Sequence, residues 1–566
     1  MTDGGSWLLA WAGDEGAAQL EVTASGAAAA AVHAHVSTLV DDKVASRLFD
    51  KDATLWGPEA EAESKIRLAW VDLARSSRPL VGETAALRDE FAGIGADHVV
   101  LCGMGGSSLA PEVICATAGV PLTVLDSSDP DYVAAAIAEQ LDRTVVVVSS
   151  KSGGTLETDS QRRAYEKAFT DAGIDPATRI VVVTDPGSPL EASAREAGYR
   201  VVLADPHVGG RYSALTAFGL VPSALAGVDI AALLDDAEAV TDLLAEDAEG
   251  NPALVLGAAM AGLPDASPPR DKVVLAEDGS GIPGFADWAE QLIAESTGKQ
   301  GLGVLPVVVD SVQAPEVQWP SADVLPIRLV SASDDVSTEV PDGTDPGAGD
   351  APAATEVTVA GSLGAQMLLW EVATAVAGRL LGISPFDQPD VESAKKAARG
   401  LLDAGGGDEP AFVIDGIEVR GTPGLLDGVS DLRGAVTALV GQLDPERGYL
   451  AVMAYLDRTT DAALAGVREP LARRTERPTT FGWGPRFLHS TGQYHKGGPS
   501  TGVYLQVTGA PSSDLDVPGQ PFTFGQLIAA QAAGDAQVLA DKGRPVLRLH
   551  LTDRAAGVAR LVEVLQ

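Results

Sequence analysis

The sequence predicts an α/β protein in which helices cover both faces of parallel sheets, a doubly wound arrangement. Short continuous runs of valine and leucine recur along the chain, and segments of helical character separate them. Such runs are typical of parallel strands that are buried on both faces. The chain has 566 residues, too many for one core. This length favours roughly three to four domain-sized units.

Residues 1–90 are predicted to form a mainly helical lead-in. A first doubly wound domain is expected over residues 91–225. The runs that predict its strands are residues 97–103, 121–126, 144–150, 179–185 and 199–205.

A second domain of the same kind is expected over residues 226–400. Its strands are predicted at residues 271–277, 302–309 and 324–330, and a long helix at about 362–381. Residues 332–356 are rich in Asp, Pro, Gly and Ala and have no apolar period, which predicts a mobile surface loop.

The C-terminal portion, residues 401–566, is predicted to be a third α/β unit. Its apolar runs are residues 411–415, 449–456, 502–509 and 545–551.

The charge balance argues against nucleic acid and anionic membranes as partners. The chain has 79 Asp and Glu against 40 Lys and Arg, a formal net charge of −39. No basic stripe is present to neutralise phosphates, so an anionic substrate needs a small local basic site. No run of 18 apolar residues occurs, which argues against a membrane span.

The cysteines favour the cytoplasm. Cys102 and Cys115 lie in one strand–helix unit and form neither a disulfide framework nor a metal-binding spacing. The N-terminus lacks a basic segment followed by a long apolar one, so no signal peptide is expected.

The first motif is GMGGSSLAP, from Gly103 to Pro111, directly after a predicted strand. Glycines let the backbone approach a ligand closely, and Ser107 and Ser108 open the next helix, where N–H groups attract anions. The motif is not GxGxxG and no suitably spaced acidic residue follows, which argues against a dinucleotide cofactor.

The second motif is SSKSGGTLET, from Ser149 to Thr158, again between a strand and a helix. Its hydroxyls, glycines and lysine suit a phosphate monoester, while the spacing of a nucleotide-hydrolysing P-loop is missing. Both motifs follow strands of one sheet, at the edge where open α/β sheets bind ligands.

The two turns resemble those of the sugar-isomerase (SIS) fold, and further segments resemble the phosphoglucose isomerase family. The SIS resemblance implies that the first two domains are SIS-type. The similar segments are HVGGRYSALTAFG (207–219), ESTGKQG (295–301), FDQPDVESAKK (386–396) and HSTGQYHKGG (489–498).

The chain departs from the family pattern in two places. Asp390 stands where the family has Gly or Ala. The Gly-Gln-His-like segment follows the lysine segment instead of preceding it, and Tyr494 separates Gln493 from His495. This rearranged C-terminal portion resembles the actinobacterial type of the family, which also occurs fused to transaldolase.

The resemblance implies glucose-6-phosphate isomerase activity in glycolysis and gluconeogenesis, through ring opening and a cis-enediolate. No metal and no redox cofactor are expected, because a carboxylate base and a fixed cation suffice. By resemblance, Glu295 is the base, Arg211 stabilises the enediolate oxygen, and Lys395 works near the ring oxygen.

Two histidines compete for ring opening, and the resemblance favours His495 over His489. Residues implied in substrate binding are Gly106, Ser107, Ser150, Lys151, Ser152, Thr155 and Gln388.

Three other functions stay open from the sequence. They are an SIS isomerase acting on mannose or amino-sugar phosphates, a non-catalytic sugar-phosphate sensor, and a scaffold with inactive sites. The oligomeric state is also open, because the histidine can come from a homodimer partner or from the same chain.

Overall fold

The computed structural model describes residues 7–11, 20–331, 355–390, 399–400, 402 and 409–566. Most of the predicted loop 332–356 lies outside these ranges, as does Lys395 with its neighbour Lys396.

The N-terminal part contains two strands, which the sequence prediction did not include, besides its helices. The strands are β1 (Trp7–Trp11) and β2 (Leu20–Ala24). The helices are α1 (Gly26–Asp41), α2 (Val44–Phe49), α3 (Glu61–Ser64), α4 (Leu73–Ser76) and α5 (Pro79–Gly93).

The first sheet has five parallel strands in the order β4-β3-β5-β6-β7. Its strands are β3 (His98–Gly103), β4 (Thr123–Leu125), β5 (Thr144–Ser149), β6 (Ile180–Thr184) and β7 (Arg200–Leu203). Its helices are α6 (Leu109–Thr117), α7 (Pro130–Ala138), α8 (Leu156–Asp171), α9 (Pro189–Glu196) and α10 (Ala217–Ala226). Every residue of β5 and β6 is buried, as the valine runs predict.

The second sheet has six strands in the order β1-β2-β11-β10-β8-β9. Strands β8 (Lys272–Asp278), β9 (Leu305–Val309), β10 (Val324–Val330) and β11 (Val357–Gly361) are parallel. The N-terminal strand β2 pairs antiparallel with β11. The helices of this second unit are α11 (Ile230–Leu244), α12 (Pro252–Ala261), α13 (Phe285–Thr297), α14 (Pro315–Gln318) and α15 (Leu363–Leu380).

The third sheet also has six strands, in the order β12-β13-β17-β16-β14-β15. Its strands are β12 (Phe412–Ile414), β13 (Ile417–Gly421), β14 (Tyr449–Tyr455), β15 (Thr479–Trp483), β16 (Gly502–Gly509) and β17 (Val546–Leu551). The last four are mutually parallel, and the β12–β13 hairpin pairs antiparallel with β17. Its helices are α16 (Leu432–Val440), α17 (Arg468–Thr475), α18 (Thr491–Gly497), α19 (Phe524–Asp541) and α20 (Arg554–Leu565).

The predicted α/β fold with parallel sheets is confirmed. The third unit is packed against the second, because one buried cluster joins residues of β8 and β9 to residues of β14, α18 and α19. This packing brings the C-terminal segment 486–497 to the elements that carry the family-like motifs. Among the helices of the described ranges, none has the length and apolarity needed to span a membrane.

Candidate active site

The turn after β5 gathers the hydroxyl groups that the sequence assigns to phosphate binding. The Ser150 hydroxyl donates to Thr155 Oγ1 at 3.1 Å, and the Gly154 N–H donates to Ser152 Oγ at 3.2 Å. Thr155 is the N-cap residue of α8, yet its side chain makes no capping hydrogen bond. The side chain of Ser152 is exposed. The turn thus presents hydroxyls at the N-terminus of a long helix, where anions bind favourably.

Lys151 in the same turn is held in an ion pair. Its Nζ lies 2.6 Å from Asp185 Oδ2 and also donates to the Pro206 carbonyl at 3.4 Å. Burial lowers the pKa of Lys151, and the neighbouring Asp185 partly opposes that shift. The charge of Lys151 is therefore offset mainly by Asp185, while Ser152 is exposed and Ser150 is buried.

The glycine turn after β3 packs directly onto the turn that carries Arg211. A Cβ on Gly106 would overlap the carbonyl oxygen of Gly210, so no larger residue fits there. Ser107, next in the turn, is half-buried. Two motifs that are far apart in sequence therefore meet through glycine backbone.

Arg211 and Glu295 face each other in a buried position. Arg211 is 4% exposed and Glu295 is 6% exposed, and Arg211 Nη1 lies 3.7 Å from Glu295 Oε2. Arg211 Nε also donates to Ser296 Oγ at 2.9 Å. The carboxylate and the guanidinium are thus held side by side in a setting of low dielectric, where their charges act strongly.

The turn at residues 384–388 supplies most of the remaining partners of Arg211. The guanidinium donates to the carbonyls of Pro385 at 2.6 Å and Asp387 at 3.0 Å. It also donates to the side-chain oxygen of Gln388 at 2.7 Å. The predicted binding residue Gln388 therefore lies next to the predicted base and cation.

A second buried cation, Lys299, holds the same turn from the other side. Its Nζ donates to the carbonyl of Ser384 at 2.7 Å, to the carbonyl of Asp387 at 2.6 Å and to Asp387 Oδ1 at 2.7 Å. Burial lowers the pKa of Lys299 to about 8. Sequence reasoning assigned Lys299 no role, although it closes the ESTGK segment that begins at Glu295.

His495 lies in the aromatic core of the third unit. It is 2% exposed, its Nδ1 is 3.0 Å from the hydroxyl of Tyr449, and its ring stacks on that tyrosine. The rings of Tyr504 and Phe487 also pack against it. Burial among these rings holds the pKa of His495 well below its usual range.

His489 lies at the glycine turn instead. A Cβ added to Gly105 would lie only 2.9 Å from the Cβ of His489, so the glycine lets the two residues approach closely. His489 Nε2 is 3.2 Å from Oε1 of Glu157, a residue in the first turn of α8. Gln291 on α13 donates to the His489 carbonyl at 2.6 Å, which fixes the backbone there. Gln531 on α19 donates to the same Glu157 oxygen at 2.6 Å. Sequence reasoning did not identify Glu157, Gln291 or Gln531.

The departure from the family pattern at Asp390 has a structural partner. Asp390 Oδ1 is 2.6 Å from Lys542 Nζ, and Gln493 donates to Asp390 Oδ2 at 3.1 Å. Gln493 also donates to the Gly298 carbonyl at 2.8 Å. An acidic residue at position 390 thus ties the third unit to the segment that contains the predicted lysine, Lys395, which lies outside the described residues.

The arrangement suits acid–base chemistry. A buried carboxylate next to a fixed guanidinium suits proton abstraction and stabilisation of the resulting anion. An imidazole held by a carboxylate suits proton exchange with a hydroxyl group. Within the described part of the chain, no group of three or more His, Cys, Asp or Glu side chains is placed to hold a metal ion.

Comparisons with known proteins show which family this chain resembles. The model of the family described as phosphoglucose isomerase matches residues 88–313. A probable glucose-6-phosphate isomerase of Natronomonas pharaonis is 31% identical over 421 residues, which are 68% of this chain and 97% of the relative. A glucose-6-phosphate isomerase of Acaryochloris marina is 31% identical over 343 residues, 53% of this chain and 65% of the relative.

Two solved structures share the fold. A hypothetical protein from Thermus thermophilus is similar with a TM-score of 0.53 and 25% identity, covering 66% of this chain and 97% of that one. A glucose-6-phosphate isomerase from Chlamydia trachomatis is similar with a TM-score of 0.52 and 19% identity, covering 68% of this chain and 88% of that one.

Proposed function

This chain belongs to the phosphoglucose isomerase family, and we propose that Glu295, Arg211 and His489 carry out its aldose–ketose isomerisation. The enzyme interconverts glucose 6-phosphate and fructose 6-phosphate, a step of glycolysis and gluconeogenesis. The observation that carries the assignment of roles is the buried pair of Glu295 and Arg211, 3.7 Å apart beside the glycine turn.

The substrate phosphate is held at the turn after β5. Ser150, Ser152 and Thr155 donate hydroxyl hydrogen bonds, and the N-terminus of α8 adds its partial positive charge. Lys151 contributes at longer range, because its amine is paired with Asp185. Local donors of this kind are needed since the chain as a whole repels anions.

Ring opening is the task of His489. The imidazole takes a proton from the anomeric hydroxyl and a proton returns to the ring oxygen, so the ring C–O bond breaks and the aldehyde or ketone forms. Glu157 accepts a hydrogen bond from the imidazole and fixes its orientation. The resemblance favoured His495 for ring opening, and that role of His495 stays a prediction. Because His495 is buried among aromatic rings, we assign the role to His489 instead.

Proton transfer between the two carbons is the task of Glu295. From the open-chain aldose the carboxylate removes the proton on C2 and returns it to C1, through an enediolate whose oxygen carries the negative charge. The proton of the C2 hydroxyl passes to the C1 oxygen, so that C1 ends as an alcohol and C2 as the ketone. Arg211 lies beside the carboxylate and stabilises that charge without changing its own protonation state. Lys395 keeps its proposed role near the ring oxygen, on the resemblance alone.

One chain completes its own site in this proposal. Glu157 in the first unit and His489 in the third belong to the same chain and contact each other directly.

The compartment that we propose for the enzyme is the cytoplasm. The free thiols of Cys102 and Cys115 support this location.

The substitution Glu295→Gln tests the assignment of the base. Turnover of fructose 6-phosphate should fall on the order of 10²–10⁴-fold, because the amide cannot accept the carbon-bound proton. The Michaelis constant should change little, since the phosphate is held at residues 150–155. The matched contrast is Ser152→Ala, which should chiefly raise the Michaelis constant. A loss in turnover below about tenfold for Glu295→Gln would remove Glu295 from the role of base.

A further inference from the structure

Gln531 brings a buried side-chain amide to the carboxylate that contacts His489. It lies on α19 in the third unit, and its Nε2 donates to Glu157 Oε1 at 2.6 Å. His489 Nε2 lies 3.2 Å from the same oxygen. Glu157 and Gln531 are both buried. A hydrogen bond to an ionised group is stronger than one between neutral groups, so the amide is well suited to hold the carboxylate in place.

The other end of the amide is held by Ser128, in the turn that follows β4. The hydroxyl of Ser128, a fully buried residue, donates to Gln531 Oε1. An ionised carboxylate only accepts hydrogen bonds, so the NH₂ end of the amide faces Glu157 and its oxygen faces Ser128. Rotation of the amide would leave buried polar groups without these bonds, and the side chain is therefore fixed at both ends.

Helix α8 is tied to the same turn at a second point. Gln161 lies one helical turn after Glu157, and its Nε2 donates to the Ser127 carbonyl at 2.8 Å. Residues four apart lie on one face of a helix, so both side chains of α8 face the turn at residues 127–128. Helix α8, this turn and α19 thus form a connected set of hydrogen bonds behind Glu157.

The surroundings of Gln531 on its own helix are largely apolar. Buried residues beside it include Leu527, Ile528, Ala530 and Ala532. A buried amide destabilises a fold unless it is hydrogen-bonded, so the contacts of Gln531 at least join the first unit to the third. The geometry points to more than a structural contact. Because the amide and the imidazole of His489 share one oxygen, a displacement of Gln531 moves the acceptor that His489 uses.

We propose that Gln531 is a positioning residue for ring opening, which acts through Glu157 on His489. This inference rests on the proposed function, in which His489 opens the sugar ring. With Nε2–H donating to Glu157, Nδ1 is the nitrogen of the neutral imidazole that takes the anomeric proton. Gln531 holds the Glu157 oxygen at the place that selects this tautomer and orients the ring.

The first test removes the amide in the full chain with Gln531→Leu. Turnover of fructose 6-phosphate should fall about tenfold or more, because a hydrogen bond to a charged group is lost. The loss should be much smaller on the ketose phosphate that lacks the 5-hydroxyl, since that substrate is already open. Initial rates on both substrates are compared with those of His489→Ala.

The matched control is Gln537→Leu, the same substitution on the same helix. Gln537 is exposed, and its Nε2 donates to Asp541 at 2.7 Å, within α19. This variant should keep the wild-type rates on both substrates.

The second test uses Gln531→Glu, which keeps the shape of the side chain. At acid pH the introduced carboxyl is protonated and donates to Glu157 as the amide does. As pH rises it ionises, and the two carboxylates repel each other. The ratio of the variant to the wild type in kcat/KM for fructose 6-phosphate should therefore be close to one at acid pH and fall at least about tenfold toward alkaline pH. The same ratio for the open-chain substrate should stay nearly constant.

Other charged groups near position 531 are present in both proteins. Asp535, one turn along α19, is paired with Lys496. Asp129, which follows Ser128, is paired with Arg554. Because the wild type carries these pairs and His489 as well, the ratio corrects for their titration. Circular dichroism at each pH shows that the compared samples are folded.

The outcomes separate this proposal from the proposed function. If His489→Ala is selective for fructose 6-phosphate while Gln531→Leu shows no loss, or equal losses on both substrates, the positioning role is overturned and the role of His489 stands. If His489→Ala shows no selectivity, the assignment of ring opening fails, and the positioning role fails with it. Should Gln531→Leu not fold, Gln531→Glu decides, because a ratio that is constant with pH would also overturn the proposal.

Discussion

At the scale of single residues, His489 and His495 show how a short segment can place like side chains in opposite surroundings. His495 lies on α18 and enters an aromatic cluster, whereas His489 precedes that helix and reaches Glu157. The sequence identified the segment, because its Thr-Gly-Gln pattern is local. It could not decide between the histidines, since that choice depends on packing between units far apart in the chain.

Substitution of the two histidines should separate ring opening from structural support. His489→Ala should lose at least about tenfold in turnover of fructose 6-phosphate, within the range of one acid–base group. The loss should be much smaller on a ketose phosphate that lacks the 5-hydroxyl, because that substrate is already open. Initial rates on both substrates give the comparison.

The control for this pair is His495→Phe, which keeps a ring in the cluster of Tyr449 and Tyr504. It should retain most of the activity on both substrates. His495→Ala should mainly lower the free energy of unfolding, by roughly 2–5 kcal/mol as for other large buried side chains. A strong, selective loss with fructose 6-phosphate in His495→Phe would return the role to His495.

At the scale of elements, the turn at residues 384–388 is clamped between two buried cations. Arg211 and Lys299 both donate to the carbonyl of Asp387, and each contacts a second carbonyl of the turn. The clamp fixes Gln388 beside Arg211. The sequence marks each motif of this arrangement, but the shared carbonyl acceptor appears only in three dimensions.

Removal of the Lys299 clamp should disturb the active site and its response to pH. The pKa of Lys299 is lowered to about 8 by burial, so the amine is charged below that pH and neutral above it. We expect kcat/KM to fall as pH rises through about 8, because the neutral amine binds the Asp387 carboxylate less strongly. Lys299→Arg, which stays charged, should lose this alkaline limb.

A matched pair of variants distinguishes this role from general stability. Lys299→Met should lower kcat at all pH values and leave no alkaline limb, while its melting temperature is recorded in parallel. Lys65→Met, at an exposed ion pair with Glu61, is the control and should keep the wild-type profile. An unchanged alkaline limb in Lys299→Arg would contradict the assignment.

Strand prediction from the sequence succeeded where burial on two faces leaves a continuous apolar run. Strands β5 and β6 are valine runs with every residue buried, so the pattern alone identifies them. Strand β2 was missed because only alternate residues are fully buried and because, of its two partners, β1 has only five residues and β11 lies more than three hundred residues away in the chain. Pairing at such distance leaves no local pattern.

At the scale of the whole molecule, the isomerisation should persist after metal removal. The roles of base, acid and electrostatic stabiliser are assigned to Glu295, His489 and Arg211, and the described residues form no metal-binding cluster. Dialysis against a chelator should leave kcat and KM unchanged. Loss of activity that a divalent ion restores would contradict this expectation.

Residues of the first and second units both contact His489 of the third unit. Glu295 lies in the second unit and His489 in the third, and Gln291 on the same helix as Glu295 donates to the His489 carbonyl. Glu157 joins the same histidine to the first unit. These contacts lie within one chain, so in the proposed site all three units of a single chain contribute.

Mixing two inactive variants tests whether the histidine acts within its own chain. Glu295→Gln and His489→Ala, carrying different tags, are co-expressed and purified through both tags, or refolded together at equal amounts. If each chain completes its own site, the mixture should show only the summed residual activity of the two variants. If the histidine were donated across a dimer interface, a mixed dimer would pair an intact Glu295 with an intact His489 in one of its two sites. Random mixing on refolding would then restore about a quarter of the wild-type activity, because half of the dimers are mixed and half of their sites are repaired, whereas dimers purified through both tags are all mixed and would show about half. Recovery at either level would overturn the single-chain site, while its absence, with both variants shown to be folded, would support the Glu157–His489 contact as the working geometry.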